Sequence, residues 1–170
     1  MSSHFCVIEY KPFFLDFFLE KNMLKEIIRE KNYAFYTSAS SWEDALRKSC
    51  QALVDNKVVS DKYSEEVIEC IKKYGPYIVI EPGIAMPHST EQGENVYNTK
   101  ISFTKFEEPV KFDDENEATL FFTLASKDKE VHIENIQKLM EVLLNDELKE
   151  ELFKINNIED LKKLSEKYDI

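Results

Sequence analysis

The stretch Tyr77–His88, which reads YIVIEPGIAMPH, decides the fold class of this chain of 170 residues. Its first four residues are a continuous apolar run with Pro76 before it and Pro82 shortly after it. Such a run predicts a short, fully buried strand over residues 77–80. The loop that leaves this strand, Pro82–His88, is rich in proline and glycine. Loops at strand ends are where α/β proteins place many functional residues.

Helical and strand-like segments alternate on both sides of this stretch. Further strands are predicted at residues 33–36, 101–106 and 118–124, and the acidic segment 107–117 is predicted to be a loop with a short edge strand at 110–112. Helices are predicted at residues 12–31, 41–54 and 60–74, and in three segments after Ser126. Ser40 or Ser41 is the expected N-cap of the second of these helices, and Ser40 and Glu43 have the spacing of a capping box. This alternation indicates an α/β sandwich.

The first helix after Ser126 carries apolar residues at helical spacing. It is predicted to bury a face that consists of Ile133, Ile136, Leu139, Met140 and Leu143.

The net charge of the chain indicates which classes of binding partner are favourable. The 33 acidic and 22 basic side chains give a formal charge of −11. Because binding to duplex nucleic acid is largely cation-to-phosphate electrostatics, nucleic acid is an unfavourable partner and a basic protein is a favourable one. Hydrophobic residues at 43% and charged residues at 32% are typical of a globular domain.

The cysteines and the apolar segments argue against a disulfide-stabilised protein, a zinc protein and a protein that spans a membrane. Cys6, Cys50 and Cys70 are widely spaced, so they indicate reduced thiols in a cytoplasmic protein rather than disulfides or a zinc site. The apolar stretch at residues 13–19 is shorter than the ~20 residues that span a bilayer. We therefore expect no insertion into a membrane, and we interpret this stretch as an amphipathic segment packed on the domain or on another chain.

His88 is the strongest candidate for chemistry. Pro87 has a fixed φ and stiffens the backbone just before the imidazole. Ser89 and Thr90 follow with hydroxyl and N–H donors suited to an anionic oxygen. The apolar side chains of Ile84 and Met86 are predicted to form a small docking patch beside the histidine. On these residues alone, a turn histidine without a function remains an alternative.

A metal site is not favoured, because only His4, His88 and His132 are present and a zinc site needs three or four ligands.

The segment 83–88, GIAMPH, resembles the active-site signature of the mannitol/fructose-type enzyme IIA domains of the bacterial sugar phosphotransferase system. Four short motifs resemble the ascorbate-type branch in particular: YGPY at 74–77, EEPV at 107–110, VH at 131–132 and WEDA at 42–45. The resemblance extends over roughly residues 23–168. It implies a three-layer α/β sandwich, with a mixed sheet and helices on both faces.

The resemblance also implies a role for each matching residue. His88 matches the histidine that accepts a phosphoryl group from the histidine phosphocarrier protein HPr and donates it to a cysteine of enzyme IIB, which works with the membrane component IIC. His132 matches a second, assisting histidine. Lys62 occupies a position where relatives commonly have arginine. Because a lysine lacks the bidentate guanidinium of arginine, a role for Lys62 in binding phosphate is doubtful. No cofactor is implied, and no nucleotide-binding loop of the GxxxxGK[ST] type is present.

Two alternatives remain open at this stage. One is a regulatory phosphoprotein of the same fold, and the other is a binding module without catalysis. We divide the chain into an N-terminal extension at 1–22, partly helical and suited to packing or to a homodimer contact, and one domain at 23–170. The sugar is not readable from the sequence.

Overall fold

A mixed five-stranded sheet runs through the centre of the computed structural model, which describes residues 22–90 and 93–170. The strands are β1 (Tyr33–Tyr36), β2 (Val79–Glu81), β3 (Gly83–Ala85), β4 (Lys100–Lys111) and β5 (Glu117–Ala125). The helices in these residues are α1 (Met23–Glu30), α2 (Trp42–Asp55), α3 (Tyr63–Tyr74), α4 (Lys129–Leu143), α5 (Asp146–Lys154) and α6 (Ile158–Tyr168).

The strand order is β1-β4-β5-β3-β2. Strands β4 and β5 form the antiparallel centre, β1 pairs parallel with β4, and β3 pairs parallel with β5. β2 lies at the edge, antiparallel to β3. Because β3 and β5 are parallel and adjacent, the chain leaves both strands at the same end of the sheet.

Two apolar cores lie on opposite faces of this sheet. Helices α2 and α3 pack on one face, against Phe106 and Phe121. Helices α1, α4, α5 and α6 pack on the other face, against Phe103 and Phe122. Successive residues of β5 alternate between the two cores because strand side chains alternate across a sheet. The predicted three-layer α/β sandwich with a mixed sheet is confirmed.

The predicted fully buried strand at 77–80 is wrong in its bounds and its burial. The strand is β2, Val79–Glu81, and its three residues are half-buried. β2 is an edge strand of this sheet and has one strand neighbour among the described residues, β3. The segment that follows is also not a loop from its start, since Gly83–Ala85 forms β3 between β2 and β5.

The predicted loop at 107–117 is mostly strand. β4 continues to Lys111 and pairs with the start of β5 through Val110 and Lys111, after an irregularity between Lys105 and Val110. That irregularity separates two apolar stretches that the sequence pattern treats as two strands.

Of the two expected N-cap residues, Ser41 caps α2: its hydroxyl accepts a hydrogen bond from the Asp44 N–H at 3.1 Å, and the Asp44 carboxylate accepts one from the Ser40 N–H. One detail of a later helix differs from expectation. In α4, Ile133 is 48% exposed and is not part of the buried face. The predicted helix at 12–31 is represented by α1, and its earlier part lies outside the described residues.

Candidate functional site

His88 lies three residues beyond the end of β3, on a backbone held from both sides. The Met86 N–H donates to the Ile78 carbonyl at 2.7 Å, and the Leu124 N–H of β5 donates to the Pro87 carbonyl at 2.9 Å. The peptide groups before the histidine are therefore bonded to the segments on either side of them. This agrees with the stiff backbone that Pro87 predicts just before the imidazole.

The imidazole of His88 has one defined tautomer. Its Nδ1 lies 2.7 Å from the carbonyl oxygen of Met86. Because a carbonyl only accepts, Nδ1 carries the hydrogen and Nε2 carries the lone pair. The side chain is half-buried. Burial lowers the pKa of His88, while the hydrogen bond to Met86 acts in the opposite direction. The ring is therefore neutral at neutral pH, with the lone pair of Nε2 available.

His132 lies beside His88, with ring centroids 5.2 Å apart and planes inclined at 51°. The two meet because β3 and β5 end at the same edge of the sheet, and α4 begins four residues after β5. His132 is 7% exposed, and neither ring nitrogen has a hydrogen-bond partner within residues 22–90 and 93–170. Burial, and secondarily the neighbouring His88, lower the pKa of His132.

Free N–H groups at the start of a helix favour an anion, and His132 lies in the first turn of α4. The Asp128 carboxylate already accepts hydrogen bonds from the N–H groups of Glu130 and Val131, at 2.8 and 3.1 Å. His132 therefore contributes its ring, whereas the helix N-terminus is capped by this chain's own carboxylate.

Two tyrosines that the sequence analysis did not single out also reach the site. The Tyr77 hydroxyl donates to the His88 carbonyl, and its ring meets the imidazole edge-on, at 5.0 Å and 86°. The Tyr63 hydroxyl donates to the Leu124 carbonyl at 2.6 Å and accepts from the Ser89 N–H at 3.3 Å. The position of Tyr77 in the YGPY motif was the available signal, whereas Tyr63 offered none beyond its place in the helix predicted at 60–74.

The other predicted polar residues differ in their exposure and contacts. Ser89 is buried, and exposed Thr90 has its hydroxyl 3.4 Å from the Cys70 thiol. Lys62 is exposed at the N-cap of α3, and within the described residues its ammonium forms no ion pair.

The predicted docking patch is wrong, because Ile84 and Met86 are 0% and 1% exposed. Both point from the sheet into the core beneath α4 and α5. The apolar side chains exposed next to the site are Val131 and Ile133, which flank His132 in sequence and are 38% and 48% exposed.

The described part of the chain contains no group of three or more His, Cys, Asp or Glu side chains arranged to hold a metal ion. None of its helices is long and apolar enough to cross a membrane. Cys50 and Cys70 are free thiols, both buried.

Comparison with known proteins gives one consistent family. The family model described as "Phosphoenolpyruvate-dependent sugar phosphotransferase system, EIIA 2" matches residues 26–168. The mannitol-specific cryptic phosphotransferase enzyme IIA component of Escherichia coli K12 is 31% identical over 130 residues, which are 76% of this chain and 88% of that protein. The ascorbate-specific PTS system EIIA component of the same strain is 30% identical over 110 residues, 64% of this chain and 71% of that protein.

A solved complex of the mannitol enzyme IIA with phosphorylated enzyme IIB from Escherichia coli contains a chain that superimposes with a TM-score of 0.68. It is 25% identical, and the match covers 79% of this chain and 93% of that one.

Proposed function

This chain belongs to the EIIA 2 family of the phosphoenolpyruvate-dependent sugar phosphotransferase system, and from that premise we propose that it carries a phosphoryl group on His88 between two protein partners. The observation that supports this proposal is the contact between His88 Nδ1 and the Met86 carbonyl at 2.7 Å, which leaves the lone pair on Nε2. The expected donor is the histidine phosphocarrier protein HPr, and the expected acceptor is a cysteine of enzyme IIB. A solved IIA–IIB complex of a relative supports the second partner.

The transfer balances without a cofactor. The Nε2 lone pair of His88 attacks phosphorus, the new N–P bond forms as the donor's N–P bond breaks, and the donor imidazole recovers its lone pair. In the second half, a thiolate of enzyme IIB attacks, an S–P bond forms, and the Nε2–P bond breaks. Phosphoryl transfer depends on positioning and charge stabilisation more than on covalent help.

His132 is proposed to assist by hydrogen bonding. Its ring nitrogens are buried, lack partners among the described residues and lie next to the proposed attachment point. A protonated nitrogen aimed at the phosphoryl oxygens would stabilise the charge that shifts during transfer. Removal of one such donor typically costs ~10²–10³ in rate.

The physiological context follows the family. We propose a cytoplasmic protein that feeds a IIB and IIC transporter, with the ascorbate-type substrate suggested by the motifs at 74–77 and 107–110. The relatives named for mannitol and for ascorbate match almost equally well. The substrate therefore needs its own test, which is transfer to the IIB component of each system.

Reconstitution with phosphoenolpyruvate, enzyme I and the phosphocarrier, followed by intact mass, tests the proposal. We expect one added phosphoryl group, stable in alkali and labile in acid. The His88→Ala variant should remain unlabelled and folded. The matched variant His132→Ala should still accept the group but transfer it slowly to enzyme IIB.

Labelling of His88→Ala would refute the assignment. A wild-type protein that stays unlabelled would favour a binding module without catalysis. Labelling that no IIB component can discharge would favour the regulatory alternative.

A further inference from the structure

A single peptide group next to the imidazole is held at both of its polar atoms by tyrosine hydroxyls. The carbonyl oxygen of His88 and the N–H of Ser89 belong to the same peptide plane. The Tyr77 hydroxyl donates to that oxygen, and the Tyr63 hydroxyl accepts from that N–H at 3.3 Å. The two tyrosines approach from different segments, α3 and the connection between α3 and β2.

Each tyrosine is itself anchored. Tyr63 is 1% exposed, and its hydroxyl hydrogen goes to the Leu124 carbonyl of β5 at 2.6 Å. The Tyr77 ring stands perpendicular to the imidazole, with centroids 5.0 Å apart. Burial raises the pKa of both phenols well above their ordinary range, so both hydroxyls stay protonated whenever the protein works. The arrangement therefore does not change with pH near neutrality.

We propose that Tyr63 and Tyr77 are positioning residues, which hold the peptide between His88 and Ser89 so that the imidazole keeps Nε2 toward the partner. This inference rests on the proposed function of His88. The orientation of this peptide sets ψ of His88 and the place of the Ser89 and Thr90 donors. A displacement of about 1 Å of a reacting group can cost up to ~10²-fold in rate.

Removal of the tyrosine hydroxyls should affect the transfer rate more than it affects the fold. Met86 and Pro87 have their own hydrogen bonds to Ile78 and Leu124, so the strand and the start of the loop persist without the tyrosine hydroxyls. What is lost is the control of one peptide plane. We therefore expect a loss in the rate of transfer at saturating phosphocarrier, with an unchanged KM for it.

The test compares Tyr77→Phe, Tyr63→Phe and the double variant in single-turnover transfer from the phosphocarrier. Each single variant keeps the ring and should lower the maximal rate roughly tenfold, the size expected for one lost hydrogen bond of ~1.4 kcal/mol. Because both hydroxyls act on one peptide, the double variant should be slower than the single variants by no more than about twofold.

Two controls separate positioning from stability. Tyr74→Phe removes the hydroxyl of a tyrosine that is 55% exposed at the end of α3, and it should keep the full rate. Ile68→Val removes a methylene in the core under α3, at a typical cost of ~0.5–1.5 kcal/mol. It should lower the melting temperature while it keeps the rate. Full rates in both tyrosine variants, multiplicative losses in the double variant, or an equal loss in Ile68→Val would overturn the inference.

A second readout is independent of phosphoryl transfer. The ¹⁵N shifts of the His88 ring report its tautomer, which the bond to Met86 holds as Nδ1–H. In Tyr77→Phe we expect a mixture of tautomers, and an unchanged single tautomer would count against the clamp. If the wild-type protein accepts no phosphoryl group, the proposed function fails and this spectrum alone decides the role of the tyrosines.

Discussion

Gly83, the first residue of the signature, allows a prediction whose size follows from the coordinates. Its φ is +85°, a conformation that side chains with a Cβ rarely adopt. A Cβ at this position would lie 2.8 Å from Cε1 of the Phe153 ring in α5 and 3.0 Å from Cζ. Gly83→Ala therefore combines backbone strain with a steric clash.

The two contributions can be estimated separately. A backbone at positive φ in a sparsely populated region costs an L-residue roughly 1–3 kcal/mol. Overpacking costs roughly 1–3 kcal/mol. Phe153 is 37% exposed, so its ring has room to move outward and the clash belongs in the lower part of that range, at about 1–2 kcal/mol. We expect Gly83→Ala to lower the free energy of unfolding by about 2–5 kcal/mol.

The matched control is Gly75→Ala. Gly75 has φ +80°, but a Cβ there would meet nothing within 4 Å. Its ψ of −176° puts it in a region that is almost restricted to glycine, so this variant should show the backbone cost alone, about 1–3 kcal/mol. In the double variant Gly83→Ala with Phe153→Ala, the clash disappears, so the two changes should be coupled by ~1–2 kcal/mol.

Urea unfolding followed through Trp42, the single tryptophan of the chain, measures five proteins: the wild type, the single variants Gly83→Ala, Gly75→Ala and Phe153→Ala, and the double variant. Trp42 is half-buried at the start of α2, with its ring centroid 6.0 Å from that of Phe112. A Gly83→Ala variant no less stable than Gly75→Ala, or a double variant without coupling, would refute the steric argument.

Three further predictions concern the site, a helix cap and the net charge. Because burial lowers the pKa of His88 and of His132, NMR titration should place both midpoints below the ordinary value of 6.5, and a midpoint above it for either ring would contradict the geometry. Ser41→Ala removes the acceptor of the Asp44 N–H and should cost ~1 kcal/mol in unfolding free energy, whereas exposed Ser38→Ala should cost almost nothing; equal losses would show that the cap is not responsible. The charge of −11 should steer a basic phosphocarrier, so stopped-flow transfer at subsaturating protein should slow as salt shortens the Debye length from its physiological ~8 Å, and a flat profile would assign the charge to solubility.

The alternation of helices and strands was readable from the sequence because the long elements repeat their apolar residues regularly. Strand β3 was not, because three residues between Pro82 and Met86 are too few to show a period. Its partners decide its structure: β5 lies parallel on one side and β2 antiparallel on the other. This misreading also explains the error at Ile84, which is internal because a central strand has both faces covered, and at Met86, which follows β3 directly and is buried in the same core as Ile84.

The histidine at the centre of the site was readable, and so was its companion through the family resemblance. Their distance was not, since it depends on two parallel strands that are more than 30 residues apart in the chain. The two tyrosine hydroxyls were equally hidden. Tyr63 and Tyr77 look like ordinary apolar positions until the fold brings one peptide group between them.

The two histidines of the site lie on elements that differ in how strongly they are held in the fold. His88 is bonded into the sheet, while α4, which carries His132, has only His132, Leu139 and Leu143 fully buried among its residues. Elements with few buried contacts open at lower free energy than core strands. On warming, the assisting ring should separate from the accepting one before the sheet melts, so the protein would still become labelled at temperatures where it no longer discharges its cargo quickly. If His88 carries the phosphoryl group as proposed, the temperature range in which the protein works is set by α4, which has few buried residues, rather than by the melting temperature of the whole domain.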